Sequence, residues 1–383
     1  MQERNSLSPP VSAIDAIYLE EPEFFAQAGY SEAFKREWKE YYGFDWRPPF
    51  DSPENTYLSN KLKHYIFCRA IEESFTYAKD YGKSKGINVR CYVATHSLLN
   101  YTVWEMVSPE ISLTFLPNVD GFQCQTWTGT AREPNYYNGK AKERVLETAY
   151  LEYGSMVPMA TLSGRKLTFN IDPIEDRRRD WTDYKKNYEA NFIAYLLYPT
   201  INNFEVMPWP GRIFEGTFPV GLNSDKREKI PRYYSTQMMV MMNACNNMPL
   251  SDNKLSGSCG ISVLMSNSLM FQRWPTFNGY NDYPPVSKYE EPEIAAYSEY
   301  KRGDIVFGNP RLSFSNFYGQ AFPLLKRGVP IQILHLESVS YPEAWKDTKI
   351  LIMSYSNMKP LSAKYHDYIA DWVSKGGVLV YCG

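Results

Sequence analysis

The amino-acid sequence predicts an α/β protein built from two parallel sheets with helices between the strands. Short apolar segments alternate with longer segments whose apolar residues recur at helical spacing. Strict alternation of strand and helix implies a parallel sheet. The elements form two series, and a long stretch rich in proline and tyrosine, over residues 272–312, interrupts the second series after its first strand.

The first series contains five predicted strands, each followed by a helix or a polar connection. The strands cover residues 16–21, 88–96, 121–127, 165–172 and 203–209, and the helices cover residues 31–42, 57–84, 140–153, 181–197 and 231–248. Strands that end in carboxylates or aromatic rings are typical of the catalytic face of a (β/α)8 TIM barrel. We therefore assign these strands as the fourth to eighth of a TIM barrel, and expect the first three to precede residue 1.

The second series begins near residue 258 and is shorter. Its predicted strands cover residues 259–266, 329–336, 349–355 and 378–381, and its helices cover residues 314–327 and 362–375. This pattern indicates a doubly wound α/β unit of flavodoxin-like type. The sequence thus predicts a partial TIM barrel over residues 1–255 and a partial flavodoxin-like domain over residues 256–383, with chain missing at both ends.

Composition argues against several classes of function. The net charge of −2 provides no field that would attract nucleic acid or an anionic membrane, and no apolar run is long enough to span a bilayer. The six cysteines are scattered and the four histidines lack metal-ligand spacing, so we expect no metal and no other cofactor. A cytoplasmic location is favoured, and a periplasmic one remains open if a signal peptide lies upstream.

Aromatic residues are abundant, at 16% of the chain with 31 tyrosines and 9 tryptophans. Aromatic rings can stack on the apolar faces of sugars, although a tyrosine-rich core and surface would produce the same composition. Trp127 and Trp209 end the sixth and eighth barrel strands, where they would stack on a sugar. As core residues they would need only a partner for the indole N–H.

The leading candidate for catalysis is the acidic segment after the first predicted strand. Glu20, Glu21 and Glu23 lie close together there, and neighbouring carboxylates repel, which raises the pKa of at least one of them, as a general acid requires. A solvated acidic turn is the alternative interpretation. The same motif recurs at residues 289–293 in a predicted loop, and only the strand before Glu20 distinguishes the first copy.

A second carboxyl group is predicted at the end of the seventh barrel strand. Retaining glycoside hydrolysis needs two carboxyl groups about 5–5.5 Å apart. Asp172 ends that strand, and Glu175 follows with a longer side chain. Either could act as the nucleophile, or both could belong to a charged loop paired with the arginines at residues 177–179.

Three further polar residues near strand ends are candidates for substrate binding. His96 ends the fifth barrel strand and could hydrogen-bond a sugar hydroxyl or the nucleophile, although a lone histidine is more often structural. Arg132 lies in a polar turn after the sixth strand and could hold a carboxylate. Asn170 lies at the end of the seventh strand.

With these residues placed, the chain resembles the clan A glycoside hydrolases, and within them family 42. Residues 19–22 look like the Asn-Glu motif that ends strand four. Glu21 matches the acid/base glutamate of that motif, whereas Glu20 replaces the asparagine that contacts the sugar 2-hydroxyl. Residues 204–209 look like the eighth strand with its sugar-platform tryptophan, and residues 349–383 are similar to the amidotransferase-like second domain of family 42.

This resemblance implies a retaining β-glycosidase that acts on β-linked sugars such as β-galactosides and that forms a trimer at full length. It implies Glu21 as acid/base and a glutamate nucleophile at strand seven, where this chain has Asp172 with Glu175 beyond it. The alternatives are a non-catalytic carbohydrate-binding protein on a decayed barrel and, more weakly, an amidotransferase-like enzyme using Cys382. We expect the 383-residue chain alone to be inactive, because five strands cannot close an eight-stranded barrel.

Overall fold

A computed structural model describes residues 15–21, 23–25, 28–103, 106–132, 135–137, 140–174, 179–201, 203–206, 210–221, 224–248, 260–267, 315–355 and 359–382. Within these ranges, two parallel sheets pack against helices, so the predicted α/β fold class is confirmed. The predicted domain boundary at residues 255–256 lies outside the described residues. No helix in the described part of the chain is both long and apolar enough to cross a bilayer.

The first part of the chain alternates between strands and helices. Its strands are β1 (Ala16–Glu20), β2 (Phe24–Phe25), β3 (Arg90–His96), β4 (Met106–Val107), β5 (Gly121–Gln125), β6 (Asn135–Tyr137), β7 (Lys140–Lys142), β8 (Lys166–Ile171), β9 (Asn203–Val206), β10 (Thr217–Pro219) and β11 (Arg227–Lys229). Its helices are α1 (Glu32–Tyr42), α2 (Pro53–Ser84), α3 (Leu98–Val103), α4 (Glu110–Leu113), α5 (Thr128–Ala131), α6 (Val145–Thr161), α7 (Trp181–Leu196), α8 (Pro210–Phe214) and α9 (Arg232–Asn247).

Five of these strands form one parallel sheet in the order β1-β3-β5-β8-β9, so neighbours in the sheet follow one another along the chain. The short strands pair antiparallel as β2 with β4, β6 with β7 and β10 with β11. The five-stranded sheet is open within the described residues, where no closed barrel is formed. All five carboxyl ends lie at one edge, which is where parallel sheets place their functional side chains.

The two faces of the five-stranded sheet differ in chemistry because successive side chains in a strand point to opposite faces. One face is apolar and helix-covered: the Phe169 ring of β8 lies 4.4 Å from the Tyr153 ring of α6. The opposite face carries polar and exposed side chains. Tyr18 there is 52% exposed and stacks on Tyr92 at 4.9 Å, and Gln123 on the same face donates a hydrogen bond from its amide to Glu205.

The second sheet contains β12 (Ile261–Met265), β13 (Gln332–His335), β14 (Ile350–Met353) and β15 (Val378–Tyr381). All its pairs are parallel, in the order β13-β12-β14-β15. Its helices are α10 (Ser315–Leu325) and α11 (Lys364–Ser374), and two 3₁₀ helices cover Leu336–Ser338 and Pro342–Trp345. The chain therefore places its second and third strands on opposite sides of the first, as a doubly wound sheet does.

The two sheets share one continuous hydrophobic core. The Tyr150 hydroxyl of α6 donates to the Ile331 carbonyl at 2.7 Å, directly before β13. At another point the Ile111 amide donates to the Asn267 side-chain oxygen at 2.8 Å. These bonds satisfy polar groups that the interface buries, so the second sheet is held through α6 and α4.

Helices α2 and α6 differ most from the sequence-based prediction. Helix α2 begins at Pro53 instead of residue 57, because the Ser52 hydroxyl caps the Asn55 amide and proline is favoured at the first helical position. The helix predicted over residues 140–153 was wrong at both ends, because α6 covers Val145–Thr161. Residues 140–142 form β7, and α6 begins at Val145 without a side-chain cap, so no capping residue marked its beginning.

Candidate active site

A row of polar residues crosses the carboxyl edge of the five-stranded sheet. The strand register pairs His96 with Gln125, Gln125 with Asn170, and Asn170 with Glu205. All four side chains therefore belong to the polar face of the sheet. The register places His96 and Asn170, which the sequence had predicted separately as binding residues, in one row on either side of Gln125.

Glu21 lies beside this row, directly after β1. Its backbone amide donates to the Ala94 carbonyl at 2.8 Å, and its carboxylate lies 3.0 Å from His96 Nε2. This hydrogen bond from the histidine lowers the pKa of Glu21 and outweighs the opposing effect of burial. Glu21 is also the only non-glycine residue among those described with a positive φ, at 50°. Strain of this kind clusters at functional sites.

A second carboxyl group, Glu23, is partly buried close to the first. Burial, followed by the charge of Glu21, raises the pKa of Glu23 to about 7, and a hydrogen bond with Tyr101 opposes the change only in part. Glu23 Oε2 is buried without a hydrogen-bond partner in the described part of the chain. The neighbouring carboxyls Glu21 and Glu23 thus have their pKa values shifted in opposite directions, a pattern found in acid/base pairs.

Glu110 is a third carboxyl group near this site, and sequence reasoning missed it. It begins α4 and is 1% exposed. Burial, with a smaller effect from Glu23, raises the pKa of Glu110 well above its usual range. Its position next to Glu23 depends on the pairing of β2 with β4, which no local pattern in the sequence indicates.

Trp127 lies against His96, with ring centroids 5.2 Å apart in an edge-to-face arrangement. It is half-buried and sits next to a set of buried polar atoms that have no hydrogen-bond partner within the described residues. These atoms belong to the side chains of Gln125, Thr126, Trp127 and Asn170. Unsatisfied buried polar groups are rare in native proteins. Their concentration at one edge of the sheet marks a place where hydroxyl groups of a ligand could bind.

Asp172 follows β8 and is 4% exposed. Its Oδ1 accepts a hydrogen bond from the Ile174 amide at 2.9 Å, which closes a local turn. Its charge also contributes, after burial and Tyr188, to raising the pKa of the Tyr234 hydroxyl on α9. The Asp172 carboxylate therefore takes part in a local turn and interacts with a helix-side tyrosine.

The remaining candidates have different surroundings. Arg132 is fully buried, and its guanidinium pairs with Asp183 at 3.0 Å and with Glu143 at 3.3 Å. The arginine does hold carboxylates, but they belong to the protein itself. Glu20 is exposed at the end of β1. Glu175 and Trp209 lie outside the described residues.

Glu205 completes the polar row and was not predicted as a site residue. Burial raises its pKa, against the effect of the hydrogen bond from Gln123. Its place on the polar face could have been found from the alternation Asn203, Phe204, Glu205, Val206. Within the ranges that the structure describes, no group of three or more His, Cys, Asp or Glu residues is arranged to bind a metal ion.

The fold and this edge define an α/β protein with carboxyl, imidazole and indole groups clustered at the carboxyl ends of parallel strands. A scan against models of protein families finds no family that matches the chain. A search of curated proteins finds no significant relative.

Proposed function

We propose that this protein is a glycoside hydrolase, a retaining β-glycosidase that acts on β-linked sugars such as β-galactosides. The observation that supports it most is the cluster of Glu21, His96 and Trp127 beside buried polar atoms that lack partners among the described residues. A sugar offers an apolar ring face for the indole and hydroxyl groups that both donate and accept hydrogen bonds.

The barrel assignment belongs to the same proposal. We propose that β1, β3, β5, β8 and β9 are the fourth to eighth strands of a TIM barrel. Two features support this: neighbouring strands follow one another in sequence, and the apolar side chains lie on the helix-covered face. A doubly wound sheet would reverse its strand order at a switch point, as the second sheet does, which supports a flavodoxin-like assignment for that sheet.

In this proposal Glu21 is the acid/base residue. A retaining mechanism uses this residue first as an acid, to protonate the leaving oxygen, and then as a base, to activate water. The hydrogen bond from His96 favours the ionised form needed in the second step. Binding of a sugar over Glu21 would remove water from the carboxylate and raise its pKa, which favours the protonated form needed in the first step.

The nucleophile in this proposal is Glu175 or Asp172. The hydrogen bond from the Ile174 amide to Asp172 favours Glu175, because it engages one oxygen of the shorter side chain in a local turn. The longer side chain of glutamate also extends further from the end of the strand.

A homotrimer at full length is also part of the proposal. All four side chains of β15 are exposed, and Val378, Val380 and Tyr381 are 52%, 42% and 58% exposed. Exposed apolar groups on a strand are typical of a surface that further chain or a second subunit covers, and the resemblance to family 42 favours the second subunit. Sedimentation of the full-length protein tests the oligomeric state, and a concentration-independent monomer would contradict this part.

The activity is tested by comparing Glu21→Gln with Glu32→Gln in the full-length protein. Glu32 is exposed on α1 and paired with Lys35, so its substitution controls for the loss of a charge. We expect Glu21→Gln to reduce hydrolysis of unactivated β-galactosides by roughly 10²–10⁴-fold, with azide restoring turnover of activated aryl glycosides. Full activity of Glu21→Gln would exclude the assignment, whereas a parent protein that is inactive on a panel of aryl β-glycosides would exclude glycosidase function itself.

The second candidate is a carbohydrate-binding protein without catalysis, on a decayed barrel. Asp172 lies at the strand end where the clan has its nucleophile, but its carboxylate accepts a hydrogen bond within a local turn. This engagement favours the non-catalytic candidate. Calorimetric titration with galactosides, combined with an activity assay, separates the candidates. Binding that is lost in Trp127→Ala, in a protein without hydrolytic activity, would support this second candidate.

A further inference from the structure

A cavity of about 410 Å³ lies between α6 and β13. Its lining does not include Glu21, Glu23 or His96, so it is separate from the candidate active site. Sites for small molecules commonly have volumes of roughly 300–1,000 Å³ and lie between packed units. We propose that this cavity binds an uncharged small molecule that combines an apolar body with one hydroxyl group.

The walls of the cavity are mostly apolar. Val157 contributes from α6, and Ile331 and Ile333 contribute from β13 and the residue before it. Gly154 determines how closely the wall can pack, because a Cβ at this position would lie 2.5 Å from the Tyr198 hydroxyl oxygen. The absence of a side chain at Gly154 lets Tyr198 approach α6 and close one side of the cavity.

The rim of the cavity carries charges of both signs, so it does not select a ligand of either charge. Glu343, Lys346 and Asp347 are exposed there and include both signs. Ser262 and Thr348 also line the cavity, but their hydroxyl groups lie 2.8 Å apart and bond to each other. Since a charged ligand would lose its hydration without gaining a buried counter-charge, an uncharged ligand fits this lining best.

Two buried polar side chains of the cavity are the reason for proposing a hydroxyl group on the ligand. His335 is 1% exposed, and its Nε2 lies 2.6 Å from the Ser155 carbonyl, to which it donates. Nδ1 is therefore an acceptor, and it has no partner within the part of the chain that the structure describes. Ser338 is also 1% exposed and lines the cavity, and its hydroxyl likewise has no partner among the described residues.

A ligand hydroxyl would satisfy both groups, donating to His335 Nδ1 and accepting from the Ser338 hydroxyl. Burial lowers the pKa of His335 to about 4, so the ring stays neutral and Nδ1 remains an acceptor above that pH. Buried polar groups without partners are costly, which makes their pairing with a ligand favourable. An apolar molecule of the same shape would leave both groups unsatisfied.

The proposal is tested with benzyl alcohol and toluene, which share a ring and differ in the hydroxyl group. Titration calorimetry or ligand-observed NMR on the full chain gives the two dissociation constants. We expect benzyl alcohol to bind at least about fivefold more tightly than toluene, although water solvates the alcohol better. Equal affinities, or tighter binding of toluene, would overturn the proposal.

Two variants locate the binding at this cavity. Val157→Trp fills the cavity and is expected to weaken benzyl alcohol binding more than tenfold, while Val240→Trp, at a position 63% exposed on α9, serves as the control. Ser338→Ala removes only a hydroxyl group that lacks a partner among the described residues, so the fold is preserved. It should weaken binding of benzyl alcohol about threefold without affecting toluene. Unchanged alcohol affinity in both variants would refute the site.

Discussion

Glu21 directly follows β1 and His96 ends β3. These two strands lie side by side in the sheet, and the two side chains meet at the carboxyl edge. The hydrogen bond stabilises the ionised carboxylate, so the pKa of Glu21 is lower in the folded protein than in the unfolded chain. The contribution of Glu21 to the free energy of unfolding is therefore present above the unfolded pKa of about 4.5. It is lost as the pH falls through the folded pKa.

Replacing His96 tests this account at the level of one residue. In His96→Phe only the effect of burial on Glu21 remains, so we expect the pKa of Glu21 to rise above its ordinary value. His96→Gln, which retains an N–H donor, should keep part of the lowering. Carboxyl NMR titration measures both variants. An unchanged pKa of Glu21 in His96→Phe would show that the histidine does not determine it.

Glu23 has the opposite relation between pH and stability. Its folded pKa of about 7 exceeds the unfolded value of 4.5, so its contribution is complete below pH 4.5 and is lost as the pH rises through 7. We expect Glu23→Gln to remove this part of the pH dependence, making the variant more stable than the parent by roughly 1–2 kcal/mol at pH 8, after allowance for partial exposure. Urea unfolding at pH 5 and 8 measures the difference. A constant difference between the two proteins would contradict the prediction.

At the level of elements, the pairing of β5 with β8 depends on a glycine. A Cβ at Gly121 would lie 2.3 Å from the Lys166 backbone oxygen in the adjacent strand. Real Cβ atoms do not approach a backbone so closely, and a backbone atom cannot move aside as a flexible side chain can. Gly121→Ala is therefore expected to separate the strands locally and to lower the free energy of unfolding by about 1–3 kcal/mol.

Gly319 provides the matched control for this prediction. It lies in α10, where a Cβ would meet no atom within 4 Å. Because alanine has a higher helix propensity than glycine, Gly319→Ala should raise the free energy of unfolding by about 0.5–1 kcal/mol. Urea titration of both variants measures the two values. Equal effects of the two substitutions would mean that the close approach of β8 does not require glycine at position 121.

At the level of the whole molecule, the two sheets are expected to unfold together, because they share a hydrophobic core. Tyr150→Phe removes the hydroxyl that bonds the Ile331 carbonyl and should cost about 1 kcal/mol. Tyr77→Phe, at a position 72% exposed on α2, is the control and should have no effect. Calorimetry should record one transition for the parent and for both variants. Separate transitions for the two sheets would contradict the shared core.

The candidate site and the proposed cavity are connected through α6. Glu152 of this helix accepts a hydrogen bond from Asn100 at 2.7 Å, four residues after His96. Two residues further along α6, Gly154 lines the cavity.

The sequence predicted the parts of this protein that depend on local patterns. Alternating apolar segments and helical periodicity are properties of neighbouring residues, so the strands of both sheets were found close to their observed positions. Local capping was harder to recognise, and the start of α6 was missed because Arg144 provides no side-chain cap. Strand ends also indicated Glu21, His96 and Trp127, which the structure brings together.

Which strand ends meet, and whether a polar side chain there contacts the protein or stays available to a ligand, depends on contacts between distant parts of the chain. Glu21 and His96 are 75 residues apart in the chain, and their contact depends on the register of β1 with β3. The ion pair between Arg132 and Asp183 spans 51 residues and buries a guanidinium that could equally have faced a ligand. Such pairings follow from burial and register over long sequence separations, and no local pattern in the sequence contains them.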